Sequence, residues 1–378
     1  MRSWLWALSA LAVCASALGA QRVWQSTWYP YLYYQTADGL WIGGRYVRYS
    51  PVGFAARPEP WAAAISLDAA GSVQGSYAVV ADAQAPALWA GWRAGLTLAV
   101  ARENRLGFYG IGNDTPPAAD SVTATAPYYY EVSRTHGGAR LTLERRLIGP
   151  LRVLGGAAFE RTDFRPLPGP SVFRSSLASG VVDSAAIPFN DAVVRAGVVL
   201  DTRDDELDPH AGILLEGLFA SGRGYTRTTG MLCAYAHPLD RLVIAGRLAG
   251  EGTGGTAPVA AQVVMEASDQ PFIAVGGYRS LRGYYDARFV GPAKLLGGAE
   301  LRYAVVWSPT VLELKLTAFY DAGRVFAPGE PFKLTTDGLH QAGGVELALR
   351  FLRNALAVAG VGAGTEGSQY VFGTRWSY

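Results

Sequence analysis

Apolar and polar residues alternate along much of this 378-residue chain. Between 294 and 306, apolar residues occupy odd positions, whereas Lys294, Glu300 and Arg302 occupy even ones. Side chains of a strand alternate between its two faces, so this period predicts strands with one apolar face. Sixteen segments follow the pattern: 29–36, 40–50, 60–68, 73–80, 88–102, 127–147, 151–163, 191–201, 212–221, 227–237, 240–250, 294–306, 311–321, 340–351, 355–363 and 368–378.

Alternation alone does not distinguish a soluble sandwich from a membrane barrel. A sandwich packs its apolar faces inward, whereas a barrel turns them toward lipid and keeps polar side chains in the lumen. The connections favour the barrel, because short turns and long loops fall on opposite ends of the strands, as in outer-membrane barrels. The short turns are 148–150, 237–240, 307–310 and 353–354, and the long loops lie near 164–190, 251–293 and 322–338.

The composition fits a membrane-embedded β-protein. Half of the residues are hydrophobic, 17% are charged, and the chain has 46 Gly, 20 Tyr and 10 Trp. Residues 1–20 have the basic start, short apolar run and small-residue end of a cleaved secretory signal peptide. Beyond them no apolar run is long enough for a transmembrane helix. We therefore predict a signal peptide at 1–20, a short periplasmic segment at 21–28 and an outer-membrane β-barrel at 29–378.

The sequence offers no support for catalysis or nucleic-acid binding. The net charge is only +2, and the four histidines lack metal-ligand spacing. No catalytic or nucleotide-binding motif of the common kinds is present. With residues 1–20 removed, Cys233 is the sole cysteine, which excludes an intramolecular disulfide. We expect no enzyme activity, no metal and no cofactor.

The end of the chain carries aromatic residues at even positions. Phe372, Trp376 and Tyr378 would share one face of a terminal strand over 368–378. Aromatic rings favour the membrane interface, and a terminal aromatic in a strand resembles the targeting signal of outer-membrane barrels. We therefore predict that these three residues form a C-terminal strand signal facing the membrane, with an ordinary terminal strand as the alternative.

Five segments together resemble one family. The chain is similar to the barrel of the bacterial surface antigen family, the superfamily of BamA, TamA and the two-partner-secretion transporters. The similarity rests on 108–115, 201–212, 280–284, 300–303 and 319–326. It implies an all-β, transmembrane antiparallel β-barrel of about 16 strands, with a long loop (about 251–293) folded into the lumen. The POTRA domains of larger members have no room before the first predicted strand, which puts active protein insertion in doubt.

The resemblance also assigns roles to particular residues. It implies that Arg282, flanked by Gly283 and Tyr284, bonds to Asp321 and Glu300 on the barrel wall. A buried guanidinium needs such partners, although a solvated arginine at a loop tip is an equal alternative on residue chemistry alone. A second motif resembles a periplasmic turn of the family; its residues are Asp201, Arg203, Asp204, Pro209 and Gly212. We expect Arg203 to pair with Asp201 or Asp204 and the turn to act as scaffold.

The resemblance implies a role in outer-membrane protein (or lipid) assembly, insertion or export without enzymatic chemistry. The first and last strands, 29–36 and 368–378, would form a weak seam. The alternative is a passive pore or structural surface antigen whose lumen is plugged by the loop. The expected contacts are outer-membrane lipid and either a separate periplasmic protein or a client outer-membrane protein.

Overall fold

The computed structural model describes residues 23–35, 38–52, 58–115, 121–308, 311–351 and 355–378. The predicted signal peptide at 1–20 lies outside these residues. Within them, sixteen strands form one antiparallel sheet in which each strand pairs with the next along the chain. The strands are β1 (Gln25–Gln35), β2 (Gly39–Ser50), β3 (Ala63–Ser72), β4 (Tyr77–Trp89), β5 (Trp92–Gly107), β6 (Glu131–Ile148), β7 (Leu151–Pro166), β8 (Phe189–Asp201), β9 (Gly212–Gly222), β10 (Tyr225–Leu239), β11 (Leu242–Gly255), β14 (Ala293–Ser308), β15 (Leu312–Phe326), β16 (His340–Phe351), β17 (Ala355–Gly364) and β18 (Gly367–Gly373).

Several short elements lie outside this sheet, among them a 3-10 helix at Ser184–Ala186. Two small strands, β12 (Val264–Met265) and β13 (Phe272–Ile273), form a separate hairpin between β11 and β14. Short helices span Val172–Ala178 and Val259–Gln262. None of the helices in the described residues is long and apolar enough to cross a membrane.

The predicted all-β barrel of about sixteen strands is confirmed. Each predicted segment overlaps an observed strand of the sheet, and 88–102 covers the end of β4 as well as most of β5. The first strand begins at Gln25 rather than at 29, so that 25–28 join the barrel rather than precede it. The last strand ends at Gly373 rather than at the chain terminus.

Side-chain burial alternates with a period of two residues. Its sense is the inverse of that in a soluble protein, because the apolar side chains are exposed and the charged ones are buried. On β14, Leu301 is 50% exposed whereas its neighbour Glu300 is 1% exposed. On β15, Tyr320 is 48% exposed and Asp321 is fully buried. The apolar side chains therefore form the outer surface and the charged ones face inward, as expected when lipid surrounds the barrel.

The connections differ between the two ends of the barrel. The loops at 108–130, 167–188, 256–292 and 327–339 all follow odd-numbered barrel strands, and they define what we call the long-loop end. Most connections at the opposite, short-turn end are tight, for example between β6 and β7 and between β10 and β11. The longer connections at the short-turn end are 51–62 and 202–211.

The main apolar core lies between the inner face of the barrel and the segment 256–292, which we call the inner loop. Inner-loop residues Met265, Phe272 and Leu281 are buried against wall residues such as Val199 and Leu296. Complete burial of one such side chain stabilises a fold by about 1.5–3 kcal/mol. A second cluster includes Phe108, Phe173 and Val290 and packs at the long-loop end. These contacts position the inner loop for the polar contacts described below.

Candidate functional site

The centre of the site is the guanidinium of Arg282, which is completely buried. Its Nε donates to Oδ2 of Asp321 and its Nη2 donates to Oδ1, both at 2.8 Å. Its Nη1 lies 2.7 Å from Oε1 of Glu300 and donates to Oε2 of Glu346 at 3.0 Å. The ring of Phe319 lies 3.7 Å from the guanidinium carbon. The inner loop therefore contacts three adjacent strands, β14, β15 and β16, through one side chain.

A second arginine offsets part of the negative charge of this cluster. Arg302, two residues after Glu300 on the same inward face, donates from Nε to Oε2 of Glu300 at 2.7 Å. Two guanidiniums thus face three buried carboxylates, those of Glu300, Asp321 and Glu346. Buried charges persist where partners and hydrogen bonds compensate their lost hydration. The ion pairs of this network therefore hold the inner loop against the charged residues of the barrel wall.

Glycines allow the tip of the inner loop to approach the wall. Gly276 and Gly277 have φ angles of +113° and +99°, which are unfavourable for other residues. At Gly362 on β17, an added Cβ would lie 2.5 Å from the carbonyl oxygen of Arg282. At Gly283, an added Cβ would lie 2.7 Å from Cβ of Ala342. The Arg282–Gly283 backbone thus lies directly on the backbone of β17, close to the end of the sheet.

Tyr284 completes the tip. Its ring is buried, and its hydroxyl lies 2.9 Å from Oγ1 of Thr365 in the β17–β18 turn. The same hydroxyl donates to the carbonyl of Gln341 at 3.3 Å. The predicted residues Arg282, Gly283, Tyr284, Glu300 and Asp321 are therefore brought together in one place.

The inner loop has a second polar anchor on the opposite side. Glu266 accepts hydrogen bonds from Nη1 of Arg140 at 2.6 Å and from Nη1 of Arg195 at 2.8 Å. These arginines lie on β6 and β8. The next turn is fixed by Glu216 on β9, whose Oε2 accepts from the Ser268 amide at 3.0 Å. The inner loop thus spans the barrel interior from an arginine-bearing wall to a carboxylate-bearing wall.

The second sequence motif lies at the short-turn end, between β8 and β9. Arg203 forms a two-point ion pair with Asp201, with both contacts at 2.9 Å. Oδ1 of Asp204 accepts from the His210 amide at 2.9 Å, Pro209 lies inside the same turn, and Gly212 has a φ angle of +105°. The pairing of Arg203 is therefore with Asp201, one of the two predicted partners.

A mixed cluster extends from this turn into the barrel. Asp208, His210 and Glu313 approach closely enough to hold a metal ion. The ammonium of Lys315 lies among them, in contact with Asp208, 2.9 Å from Glu313 and 3.1 Å from Nε2 of His210. Burial and the neighbouring Lys315 lower the pKa of His210 below its ordinary value. The lysine thus supplies the positive charge that a metal would otherwise bring.

The C-terminal prediction was wrong for two of its three residues. Phe372 lies on the outer face of β18, but the strand then ends and residues 374–378 turn inward. Trp376 is 3% exposed, donates from Nε1 to Oδ1 of Asp208 at 2.8 Å, and stacks on the guanidinium of Arg302 at 4.0 Å. The Tyr378 ring lies 4.6 Å from the guanidinium carbon of Arg247. These polar partners hold the end of the chain inside the barrel rather than in lipid.

Sequence reasoning missed Glu346, Glu266 and the two arginine partners of Glu266 as members of the site. The signal for Glu346 was present, because it shares the inward parity of β16 with Arg350. No comparable signal marks Glu266, which lies in an irregular part of the inner loop. Its arginine partners lie 126 and 71 residues away in sequence.

Known structures share this architecture. BamA from Haemophilus ducreyi lacking POTRA domains 1–3 has 12% sequence identity and a TM-score of 0.56, with 93% of this chain and 70% of that chain covered. CdiB from Escherichia coli has 11% identity and a TM-score of 0.56, with 94% and 64% covered. CdiB from Acinetobacter baumannii has 14% identity and a TM-score of 0.50, with 93% and 59% covered. At this identity the similarity concerns the fold.

A search of curated proteins found no match. The sequence does match the family model described as the Omp85 superfamily domain over residues 92–365, which include the inner loop, both motifs and the three carboxylate-bearing strands. This outer-membrane β-barrel therefore belongs to the Omp85 superfamily.

Proposed function

We propose that this barrel takes part in the assembly, insertion or export of protein (or lipid) at the outer membrane, without enzymatic chemistry. The observation that carries the proposal is the seam between β1 and β18. In the described residues the hydrogen-bonded order of the sheet begins at β1 and ends at β18, and no ladder joins these neighbours. Unpaired strand edges can pair with an added strand. The seam would be the place where a client strand pairs.

The lengths of the two edge strands support this proposal. β1 has 11 residues, whereas β18 has 7 and ends where the chain turns inward. A full ladder along β1 is therefore impossible for β18 alone. Gly367 and Gly373 bound β18 and add little to strand pairing. The short-turn end and both chain termini would face the periplasm, as in other outer-membrane barrels.

A disulfide across the seam tests this proposal. In a Cys233→Ala background, cysteines would be placed at outward-facing positions, Leu32 or Tyr34 on β1 and Tyr370 or Phe372 on β18. We expect the oxidised seam to abolish support of outer-membrane protein assembly and survival under membrane stress, and a reductant to restore both. Folding of each variant is checked by heat-modifiable gel mobility.

The matched control is a disulfide between Val345 and Val361, which are paired on β16 and β17 and both face outward. This link joins strands that already form a ladder, so it should leave function unchanged. Equal activity of the oxidised seam variant and the oxidised control would contradict the proposal.

The burial of Arg282 favours a second candidate, a passive pore or structural surface antigen whose lumen is plugged by the inner loop. Deletion of 277–290 removes the Arg282 contacts with Glu300, Asp321 and Glu346. For a plugged pore, this deletion should sharply raise single-channel conductance while an oxidised seam should not impair function. The two experiments together distinguish the candidates.

The proposed partners are outer-membrane lipid around the apolar outer surface and a client protein at the seam. A separate periplasmic protein would contact the short-turn end, where residues 202–211 and 374–378 meet. Co-purification from gently solubilised membranes tests for this partner. Substitutions in residues 202–211 or 374–378 that remove the contacts with this partner should release it without unfolding the barrel.

A further inference from the structure

A cavity of about 270 Å³ lies inside the barrel, between the inner loop and the short-turn end. Aromatic rings of Phe272, Trp376 and Tyr378 contribute to its lining. Its most frequent charged group is the guanidinium, and the arginines concerned are Arg93, Arg140, Arg152, Arg203, Arg247, Arg279 and Arg375. In the described residues, six carboxylates also line the cavity, those of Asp82, Glu144, Asp201, Glu206, Glu216 and Asp269, so the partners of each arginine decide whether its charge is compensated.

Most of these arginines already have a carboxylate partner. The pairs are Arg93–Glu206 at 2.7 Å, Arg140–Glu266 at 2.6 Å, Arg152–Glu144 at 2.8 Å, Arg203–Asp201 at 2.9 Å and Arg375–Asp269 at 2.7 Å. Within the described residues, Arg247 and Arg279 form no ion pair with any carboxylate. Among those residues, these two guanidiniums have no carboxylate at ion-pair distance, although the nearby charge of Asp269 acts on Arg279.

Arg247 projects from β11 and is 5% exposed. It donates to three backbone carbonyls: Nη1 to Arg279 at 2.7 Å and to Ser377 at 3.4 Å, and Nη2 to Ser280 at 3.3 Å. Its Nε is buried and has no hydrogen-bond partner. Neutral carbonyls satisfy some of its donors but leave its charge unpaired, which is costly in a partly dry interior.

Arg279 belongs to the inner loop, and its guanidinium stacks on Phe272 at 4.7 Å. Arg247 approaches the same ring at 5.9 Å, so the two guanidiniums share one aromatic neighbour. In the described residues the Arg279 side chain donates no hydrogen bond, and its Nε is buried. Burial and the nearby Arg375 lower the pKa of Arg279 to about 10. A guanidinium held in this way is available to a ligand.

The remaining carboxylates of the cavity have other partners. Asp82 accepts from the Thr97 hydroxyl at 2.7 Å, and Glu216 accepts from the amide and hydroxyl of Ser268. Neither forms an ion pair with Arg247 or Arg279. A ligand that binds both arginines would have to offer several acceptor oxygens and negative charge. A phosphate group supplies both, whereas a carboxylate has one charge and two oxygens, enough for a single guanidinium fork.

We propose that Arg247 and Arg279 bind a phosphate group in this cavity. The phosphate can belong to a free inorganic anion or to a phosphomonoester such as a lipid headgroup, because the guanidinium chemistry is the same. The cavity volume accommodates either, since a single water molecule occupies about 30 Å³ in the liquid. Bound phosphate would join the inner loop, through Arg279, to the barrel wall, through Arg247.

Thermal unfolding of the folded barrel in detergent micelles tests this site. A ligand that binds only the folded state raises stability in a saturable way. The midpoint would be followed by heat-modifiable mobility in sodium phosphate and in sodium chloride of equal ionic strength. We expect phosphate to raise the midpoint of the parent protein beyond chloride. Arg279→Gln should weaken phosphate binding at least tenfold, measured by calorimetric titration, and Arg279→Lys should weaken it less.

Arg241→Gln is the matched control, because Arg241 is an exposed arginine before β11 and lies outside the cavity; it should retain the full phosphate effect. Arg247→Gln should also lose phosphate binding. If Arg247→Gln does not fold, Arg279→Gln decides the test, because the Arg279 side chain donates no hydrogen bond in the described residues.

Glycerol 3-phosphate identifies the source of the phosphate group. Binding of glycerol 3-phosphate supports a headgroup phosphomonoester, and binding of inorganic phosphate alone supports the free anion. Identical responses of the parent to phosphate and chloride, or of the parent and Arg279→Gln to phosphate, would overturn the proposal.

Discussion

The guanidinium of Arg282 contacts both carboxylate oxygens of Asp321, a residue 39 positions later in the chain. The Arg282 backbone amide donates to the same carboxylate at 3.2 Å, so that main chain and side chain are held together. Both residues are completely buried. This pair fixes the tip of the inner loop against β15, and Glu300 and Glu346 extend the same contact to the neighbouring strands.

Arg282→Ala should lower the free energy of unfolding by about 3–5 kcal/mol, because it removes the shared partner of buried carboxylates. Asp321→Ala should cost less, since Arg282 retains Glu300 and Glu346. Urea unfolding of the two single variants and the double variant in lipid vesicles gives the coupling energy. The same cycle on the exposed pair Arg165–Asp163 is the control and should give at most about 1 kcal/mol. Equal coupling in both cycles would refute a fixed inner-loop tip.

Gly362→Val should displace the tip of the inner loop without preventing barrel formation. The new side chain would begin 2.5 Å from the carbonyl oxygen of Arg282, a backbone atom that cannot move alone. We expect trypsin to cleave after Arg279 or Arg282 in the folded variant but not in the parent. Gly230→Val on the outer face of β10 is the control, because nothing lies within 4 Å of its added Cβ. Protection of both variants would show that the tip does not depend on this contact.

The strands could be predicted from sequence because lipid and lumen impose one simple alternation. Glu300 and Leu301 are adjacent, yet one is buried among charges and the other faces outward. The same parity rule places Asp321 and Glu346 on inward faces, whereas the pairing of Asp321 with Arg282 was implied by the family resemblance. Local pattern is sufficient here because each strand has only two faces.

The end of the chain could not be predicted in this way. Phe372, Trp376 and Tyr378 have one parity, but the strand stops between the first and the second. The cause is remote, because the acceptor of the Trp376 indole is Asp208, 168 residues earlier. Glu266 was missed for a similar reason, since Arg140 and Arg195 lie on distant strands. Contacts of this kind depend on the closed barrel and leave no periodic signal.

Trp376→Phe should destabilise the inward position of the C-terminal residues. The substitution keeps a ring above Arg302 but removes the hydrogen bond to Asp208, which is worth about 1.5–3 kcal/mol for a charged partner. Urea unfolding should report this loss. Trp307→Phe at the short-turn end of β14 is the matched control, because Trp307 is 43% exposed. If the two variants are equally stable, the Trp376–Asp208 contact contributes nothing.

Stability should fall as the pH is lowered from about 8 to about 5.5, and His210 should be one cause. Burial and Lys315 lower the pKa of His210 in the folded barrel, although Asp208, Glu313 and Asp204 act in the opposite direction. The unfolded chain therefore binds the proton at a higher pH than the folded chain does. The free energy of unfolding is then greatest above the unfolded histidine pKa, about 6.5, and decreases below it.

The contribution of His210 is isolated by His210→Asn, which should flatten the pH dependence of the urea midpoint over this range. Asn cannot take up a proton but keeps a polar side chain next to Lys315. His237→Asn, at an exposed position near the end of β10, controls for the loss of any histidine and should retain the parent slope. A parent midpoint that rises with acidification, or an unchanged slope in His210→Asn, would mean that Lys315 does not oppose protonation of His210.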